Sequence, residues 1–272
     1  MGNILTSAVF LPPKATYNST DPHVHMLPTK EGYTLAAYFI KHRDARYTIL
    51  YSHGNAEDIG HVLPLLVDRI SKWQVNLLMY DYSGYGLSGG KPSEENLYKN
   101  IEAVYDHMIS RFGVDPNKVI VYGRSIGSGP TVHLALRRPV LGVILQSPIA
   151  SVYRVRMRRL PCSLPGDMFR NADKVELLEV PTLILHGTKD EIVPLESSQR
   201  MARKISEVYC QWIEGASHND IDTTYADQAD EAILEYLDKV LPRDQYGRPR
   251  TAVWSGHSDD DDEEPAITVI YR

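Results

Sequence analysis

Val119-Ile120-Val121-Tyr122-Gly123-Arg124-Ser125-Ile126-Gly127-Ser128-Gly129-Pro130 decides how this chain is read. β-Branched residues lead straight into Gly-x-Ser-x-Gly, and small residues suited to a tight helix start follow. The local order is strand, sharp turn, helix. In that context the serine stands on a strained turn with its hydroxyl clear of the sheet. Gly123 and Gly127 flank it because a Cβ at either place would meet the neighbouring strand or helix. The short pattern recurs by chance. The strand before it and the partners elsewhere in the chain make it specific.

On the N-terminal side, Tyr33 to Ile40 reads as a strand. Tyr47 to Tyr51 and Val75 to Tyr80 are short apolar runs of the kind that parallel sheets bury on both faces. Between the last two, Ile59, Val62, Leu63, Leu66 and Ile70 keep helical spacing to about Lys72. The loop after Tyr80 carries Gly84, Gly86 and Gly90, which predicts unusual backbone angles. A helix then opens at Ser93, its N-cap, with Glu94 and Glu95 in the first turn, and runs to about Phe112.

On the C-terminal side a helix is expected from Ser125 to about Arg137, followed by a strand over Val140 to Leu145. Residues 147–174 break the rhythm with three prolines and the basic residues Arg154, Arg156, Arg158 and Arg159. The alternation resumes with a strand at Thr182 to His186, a helix at Ser197 to Ile205, a strand at Val208 to Ile213 and a helix at Tyr225 to Val240. Strand and helix alternate throughout, which predicts an α/β class with a mainly parallel, doubly wound sheet and helices on both faces.

Composition bounds the function. The chain has 272 residues, 43% hydrophobic and 24% charged, enough to bury one core without staples. A net charge of −6 with no long basic stripe argues against a nucleic-acid partner. Two cysteines, Cys162 and Cys210, exclude a disulfide framework and point to a reducing compartment. No apolar run reaches the length of a membrane span, and no secretory leader is expected. Met1-Gly2-Asn3-Ile4-Leu5-Thr6 fits an N-myristoylation signal at Gly2. One such chain binds membranes only marginally, so a second signal is needed, and the basic run over 154–159 is a candidate for it. From Pro242 the pattern stops. Six consecutive acids at Asp259 to Glu264 predict a tail that cannot bury a core. His23 and His25 alternate on an expected edge strand without a third ligand, so no metal or other cofactor is called for.

A serine hydroxyl needs a base to take its proton and donors to hold the oxyanion that forms. In this strand order the partners follow as serine, acid, histidine. Asp190 lies in His186-Gly187-Thr188-Lys189-Asp190-Glu191, just past a strand end, with Glu191 as the neighbouring alternative. His218 lies in Glu214-Gly215-Ala216-Ser217-His218-Asn219-Asp220, past the next strand end. Reactive groups of open parallel sheets collect at that edge. The two oxyanion donors are expected from the backbone amides of Ile126 and of Asn55, the latter in the turn after Tyr51.

These stretches, with Tyr80-Asp81-Tyr82-Ser83-Gly84-Tyr85-Gly86, Gly89-Gly90-Lys91-Pro92-Ser93-Glu94 and the opening Phe10-Leu11-Pro12-Pro13, together resemble the α/β-hydrolase-domain-containing 17 family. The match runs from about Phe10 to Val240. The resemblance implies an α/β-hydrolase fold and a membrane-anchored serine hydrolase that removes palmitate from protein cysteines. Ser125 would be the nucleophile, His218 the general base and acid, and Asp190 the orienting acid. The chain departs from the animal members in lacking an N-terminal cysteine cluster, and Arg124 stands where they usually have Gln. Residues 1–20 are expected to be a membrane-anchoring segment, 21–241 the hydrolase domain with 147–174 an excursion near the site, and 242–272 the acidic tail. S-acylated proteins would be the substrates, met at the cytoplasmic face of a membrane through an acylated Gly2, with a cytosolic fraction. The same residues would serve a carboxylesterase or lipid hydrolase. The basic loop and charged tail also fit a myristoylated interaction protein without catalysis, a reading that an intact Ser125, Asp190 and His218 argue against.

Overall fold

A computed structural model describes residues 9–157, 160 and 163–240. Gly2, Cys162, Arg158, Arg159 and the acidic run lie outside the described residues, and with them the expectations placed on them. Among the described residues are eight strands: β1 (Val24–Pro28), β2 (Thr34–Ile40), β3 (Tyr47–Ser52), β4 (Val75–Tyr80), β5 (Val119–Arg124), β6 (Gly142–Gln146), β7 (Thr182–Gly187) and β8 (Val208–Ile213). The helices are α1 (Ile59–Trp73), α2 (Glu94–Ser110), α3 (Ser128–Ala135), α4 (Val152–Arg156), α5 (Leu195–Ala202) and α6 (Ala226–Val240).

All eight strands form one sheet in the order β1-β2-β4-β3-β5-β6-β7-β8. β1 and β2 pair antiparallel, as do β2 and β4, and the remaining neighbours are parallel. Strand residues alternate between two faces. Leu50, Val121, Leu145 and Ile184 pack with α2, α3 and α5 residues such as Leu97, Ile101, Val132 and Met201. Ile49, Ile120, Ile144 and Leu183 pack with Leu66 and Ile70 of α1 and Ile233 and Leu237 of α6. Burying both faces is why the central strands read as continuous apolar runs rather than alternating ones.

The sheet order places the site. The chain leaves β3 for β4 on one side and returns past it to β5 on the other, so β3 and β5 lie side by side while their crossovers diverge. Ligand crevices of doubly wound sheets open at such a switch point, outside the carboxyl ends of the strands.

Several boundaries differ from the sequence reading. Ser125–Gly127 forms a 3₁₀ turn before α3 begins at Ser128, and α5 starts at Leu195, behind Pro194. Packing onto the sheet and its helices includes residues before 21. Phe10 is buried against Phe169, with ring centroids 6.0 Å apart and nearly perpendicular. The Thr16 amide donates to Asp58 at 2.7 Å, and the Tyr17 hydroxyl donates to buried Asp81. Residues 9–17 are therefore part of the folded unit, because Phe10 has an apolar site and the Leu11 and Thr16 amides meet acceptors on Asn55 and Asp58. The excursion is also packed down rather than looped out. Phe169 is fully buried beside Gly129, and Arg154 is buried and ion-paired with Asp173 at 3.2 Å. Arg154 is thus corrected from a lipid-facing cation to an internal tie. Of the four arginines, Arg156 is the one described as exposed.

Candidate active site

Ser125 follows directly on β5 with φ 53°, a left-handed conformation that costs a non-glycine residue energy and persists only when its surroundings enforce it. Three neighbours enforce it here. The Ser128 hydroxyl donates to the Ser125 carbonyl at 2.6 Å. A Cβ on Gly123 would lie 2.5 Å from the Gly127 carbonyl oxygen, and one on Gly127 would lie 2.7 Å from that of His53. The backbones of β3 and the turn after β5 therefore touch at a place where only glycine fits.

The loops after β7 and β8 bring the other two groups in. His218 Nε2 lies 3.1 Å from Ser125 Oγ, and its Nδ1 lies 2.7 Å from Asp190 Oδ2. All three residues are at most 8% exposed. The other Asp190 oxygen accepts the amides of Ile192 at 3.0 Å and Val193 at 2.7 Å, so the carboxylate cannot turn away. Burial alone would raise the Asp190 carboxyl. The hydrogen bond and charge of His218, with the Val193 amide, outweigh burial and hold it below the usual carboxylate range. An ionised Asp190 draws the proton to His218 Nδ1 and leaves the Nε2 lone pair facing the serine hydroxyl. Glu191, the alternative acid, lies on the cavity wall, and its carboxylate sits 3.5 Å from the His218 amide.

Behind Asp190 stands His186, at the end of β7. Its Nε2 is 3.0 Å from the Val193 carbonyl and 3.3 Å from Asp190, and its Nδ1 is 2.7 Å from the Ser198 hydroxyl. Burial depresses its pKa and keeps the ring neutral, so Nε2–H donates and Nδ1 accepts. This support carries no motif of its own, and its one sequence signal is a histidine closing an apolar strand.

Asn55 and Ile126 border the same cavity as Ser125. The Asn55 side chain is already committed. Its Oδ1 accepts from the Leu11 amide at 3.0 Å and the Tyr85 hydroxyl at 2.7 Å, and its Nδ2 donates to the Val9 carbonyl at 2.7 Å. What Asn55 can offer a developing oxyanion is therefore its backbone N–H. Beneath this turn, His53 is buried 3.3 Å from Asp81. Burial lowers its pKa, but the Asp81 carboxylate beside it outweighs this and raises it above the ordinary value.

The cavity has a volume of about 750 Å³, within the usual range for small-ligand sites of roughly 300–1,000 Å³. Val9 and Leu11 form one wall, Ile149, Val152 and Val155 another, and Ile192 and Val193 a third, with Arg156 and Glu191 at the polar edge. Among the described residues, no group of three or more histidines, cysteines or acids is arranged to hold a metal, and no helix is long and apolar enough to cross a membrane.

A strained serine between two strand ends, beside a histidine and a buried acid, on this sheet order defines an α/β serine hydrolase. Residues 43–164 match the family model described as serine aminopeptidase, S33. The alpha/beta hydrolase domain-containing protein 17C of Xenopus tropicalis is 40% identical over 216 residues, covering 79% of this chain and 69% of that protein. The human protein 17B is 40% identical over 202 residues, covering 72% and 69%. Among solved structures, an esterase of Pyrococcus furiosus superposes with a TM-score of 0.70 at 16% identity, covering 84% of this chain and 98% of its own. The chain belongs to the alpha/beta hydrolase domain-containing protein 17 family.

Proposed function

We propose that this protein hydrolyses the thioester of S-palmitoylated proteins through an acyl-enzyme on Ser125. The observation that carries the reading is the continuous chain Ser125–His218–Asp190, at 3.1 and 2.7 Å, opening onto a cavity walled mainly by aliphatic side chains. His218 Nε2 takes the hydroxyl proton as Oγ attacks the thioester carbonyl. The amides of Asn55 and Ile126 hold the oxyanion, and His218 returns the proton to the leaving cysteine thiolate. Water then repeats the sequence on the acyl-enzyme and frees the fatty acid. Asp190 keeps the imidazole in one tautomer and stabilises its cationic form. An aliphatic cavity suits a long acyl chain, and the thiol end of the substrate would leave along the Arg156–Glu191 edge. In this reading an acyl group on Gly2 holds the protein at the cytoplasmic face of a membrane, where such substrates lie.

The test is turnover of an S-palmitoyl peptide. Ser125→Ala should lower it by about 10⁴-fold or more with an unchanged melting temperature. Turnover that survives in this variant sinks the reading. An acyl-length series on matched thioesters and oxyesters separates it from a carboxylesterase or lipid hydrolase, which would prefer the oxyester.

A further inference from the structure

One buried cation outside the three reacting side chains touches both the loop that carries His218 and the turn that carries Asn55. Arg124 closes β5, immediately before Ser125, and is 7% exposed. Its Nη2 donates to the main-chain carbonyl of His218 at 3.1 Å and to Asn219 Oδ1 at 3.0 Å. Its Nη1 pairs with Glu57, whose other oxygen accepts the Gly54 amide at 2.7 Å, in the turn that carries Asn55. Its Nε lies 3.6 Å from Asp222.

We infer that Arg124 is a positioning residue, clamping the His218 loop and the Asn55 turn to the strand that presents Ser125. This rests on the Ser125–His218–Asp190 reading given above. A guanidinium is planar and carries five N–H donors in a fixed fork, so a single group can hold several acceptors in one geometry. The imidazole is fixed by Asp190 at one nitrogen, but its distance to Ser125 Oγ also depends on where the His218 main chain sits. That main chain hangs on a loop turned by Gly215 at φ 81°, and Asn219 beside it is exposed. Arg124 grips it from within, and its charge is balanced by Glu57 and Asp222.

The fold supplies its own control. Arg69 is buried to the same degree, 6% exposed, and shares Asp222 at 2.7 Å. Its other partners are Asp230 of α6 and the ring of Trp73, 4.6 Å away. It ties helices together and touches no reacting group. A general loss of buried charge pairing is common to both arginines, whereas alignment of the base belongs to Arg124 alone.

The experiment compares Arg124→Met, Arg124→Lys, Asn219→Ala and Arg69→Met in the full chain. It uses a chromogenic medium-chain ester, a fluorophosphonate probe and thermal melting, with Ser125→Ala as reference. Arg124→Met should lower kcat about 10- to 100-fold with KM nearly unchanged, and slow probe labelling by the same factor. Its low-field Nδ1–H proton resonance between His218 and Asp190 should broaden. Arg124→Lys should recover part of kcat, because an ammonium reaches fewer of the acceptors. Arg69→Met should lose thermal stability yet keep kcat within about twofold. Asn219 is exposed, so Asn219→Ala should melt like the wild type while losing about threefold or more in kcat. A folded Arg124→Met with wild-type kcat overturns the inference, as does an equal kcat loss in Arg69→Met. If Arg124→Met fails to fold, an unchanged kcat in Asn219→Ala overturns it. Turnover that survives in Ser125→Ala instead refutes the underlying triad.

Discussion

The floor of the cleft and its walls are assembled in different ways. The floor comes from four turns at one edge of the sheet: Asn55 after β3, Ser125 after β5 and, beyond β6, Asp190 after β7 and His218 after β8. Hydrogen bonds and buried charge hold it in place. Two of the walls come from stretches far from each other in sequence, residues 9–11 and 149–155, and the third, Ile192 and Val193, follows Asp190 directly. The first two are held by apolar burial of Phe10 and Phe169 and by a few ties, such as Asn55 to Val9 and Leu11 and Asp173 to Arg154. The difference teaches that the proposed catalytic groups inherit their geometry from the sheet, while the volume of the cavity depends on how well two remote segments dock.

Changing the floor should therefore stop chemistry, and changing the walls should alter substrate binding. The largest effect is expected from Asp190→Asn, which leaves the shape but favours the wrong His218 tautomer. It should cost about 10⁴-fold in kcat, read as burst and steady-state rates. A loss confined to KM would put Asp190 with the walls. Next is Gly127→Val, whose Cβ would collide with the Ser52 and His53 carbonyls. Backbone atoms cannot yield cheaply, so a loss of about 4 kcal/mol or more in unfolding free energy is expected by denaturant titration.

Phe10→Ala acts on the wall. Removing a buried ring should cost about 3 kcal/mol, and less if residues 9–17 simply undock. KM should rise while kcat stays near that of the wild type. An equal fall in kcat would show that the N-terminal stretch also aligns the floor. The smallest effect concerns pH. Burial opposes ionisation of Asp173, but hydrogen bonds from Ser163, Arg170 and Arg154 hold its carboxyl at about 2. That lies below the value of about 3.9 for an unfolded aspartate, so the native state binds fewer protons. The contribution is complete above about pH 4 and fades as pH falls towards 2. Wild type and Asp173→Asn should melt apart at neutral pH and converge in acid. A constant gap would remove Asp173 as the anchor of the excursion.

The elements that carry the floor were legible because each depends on local pattern. The apolar runs 75–80 and 208–213 coincide with β4 and β8, and Ser93 caps α2 by accepting the Asn96 amide. Gly84, Gly86 and Gly90 do take positive φ. Asp190 and His218 could be placed near Ser125 because parallel strands deliver their C-terminal turns to one edge. The supporting groups were not legible. His186 and His53 have no spacing that marks them, and Arg124 reads locally as a strand-end cation.

Sequence alone determined the class of fold, the alternation of strands and helices and the three side chains that come together at one sheet edge, since periodicity and turn chemistry act over a few residues. Only the tertiary structure decided that residues 9–17 close one side of the cleft, that Arg154 is an internal tie, and that Arg124 joins the loops around Ser125. Each of these depends on a partner far along the chain, from Asp173 for Arg154, 19 positions away, to Asn219 for Arg124, 95 positions away, and to Phe169 for Phe10, farther still. A buried cation or aromatic ring finds that partner only when the whole sheet has formed.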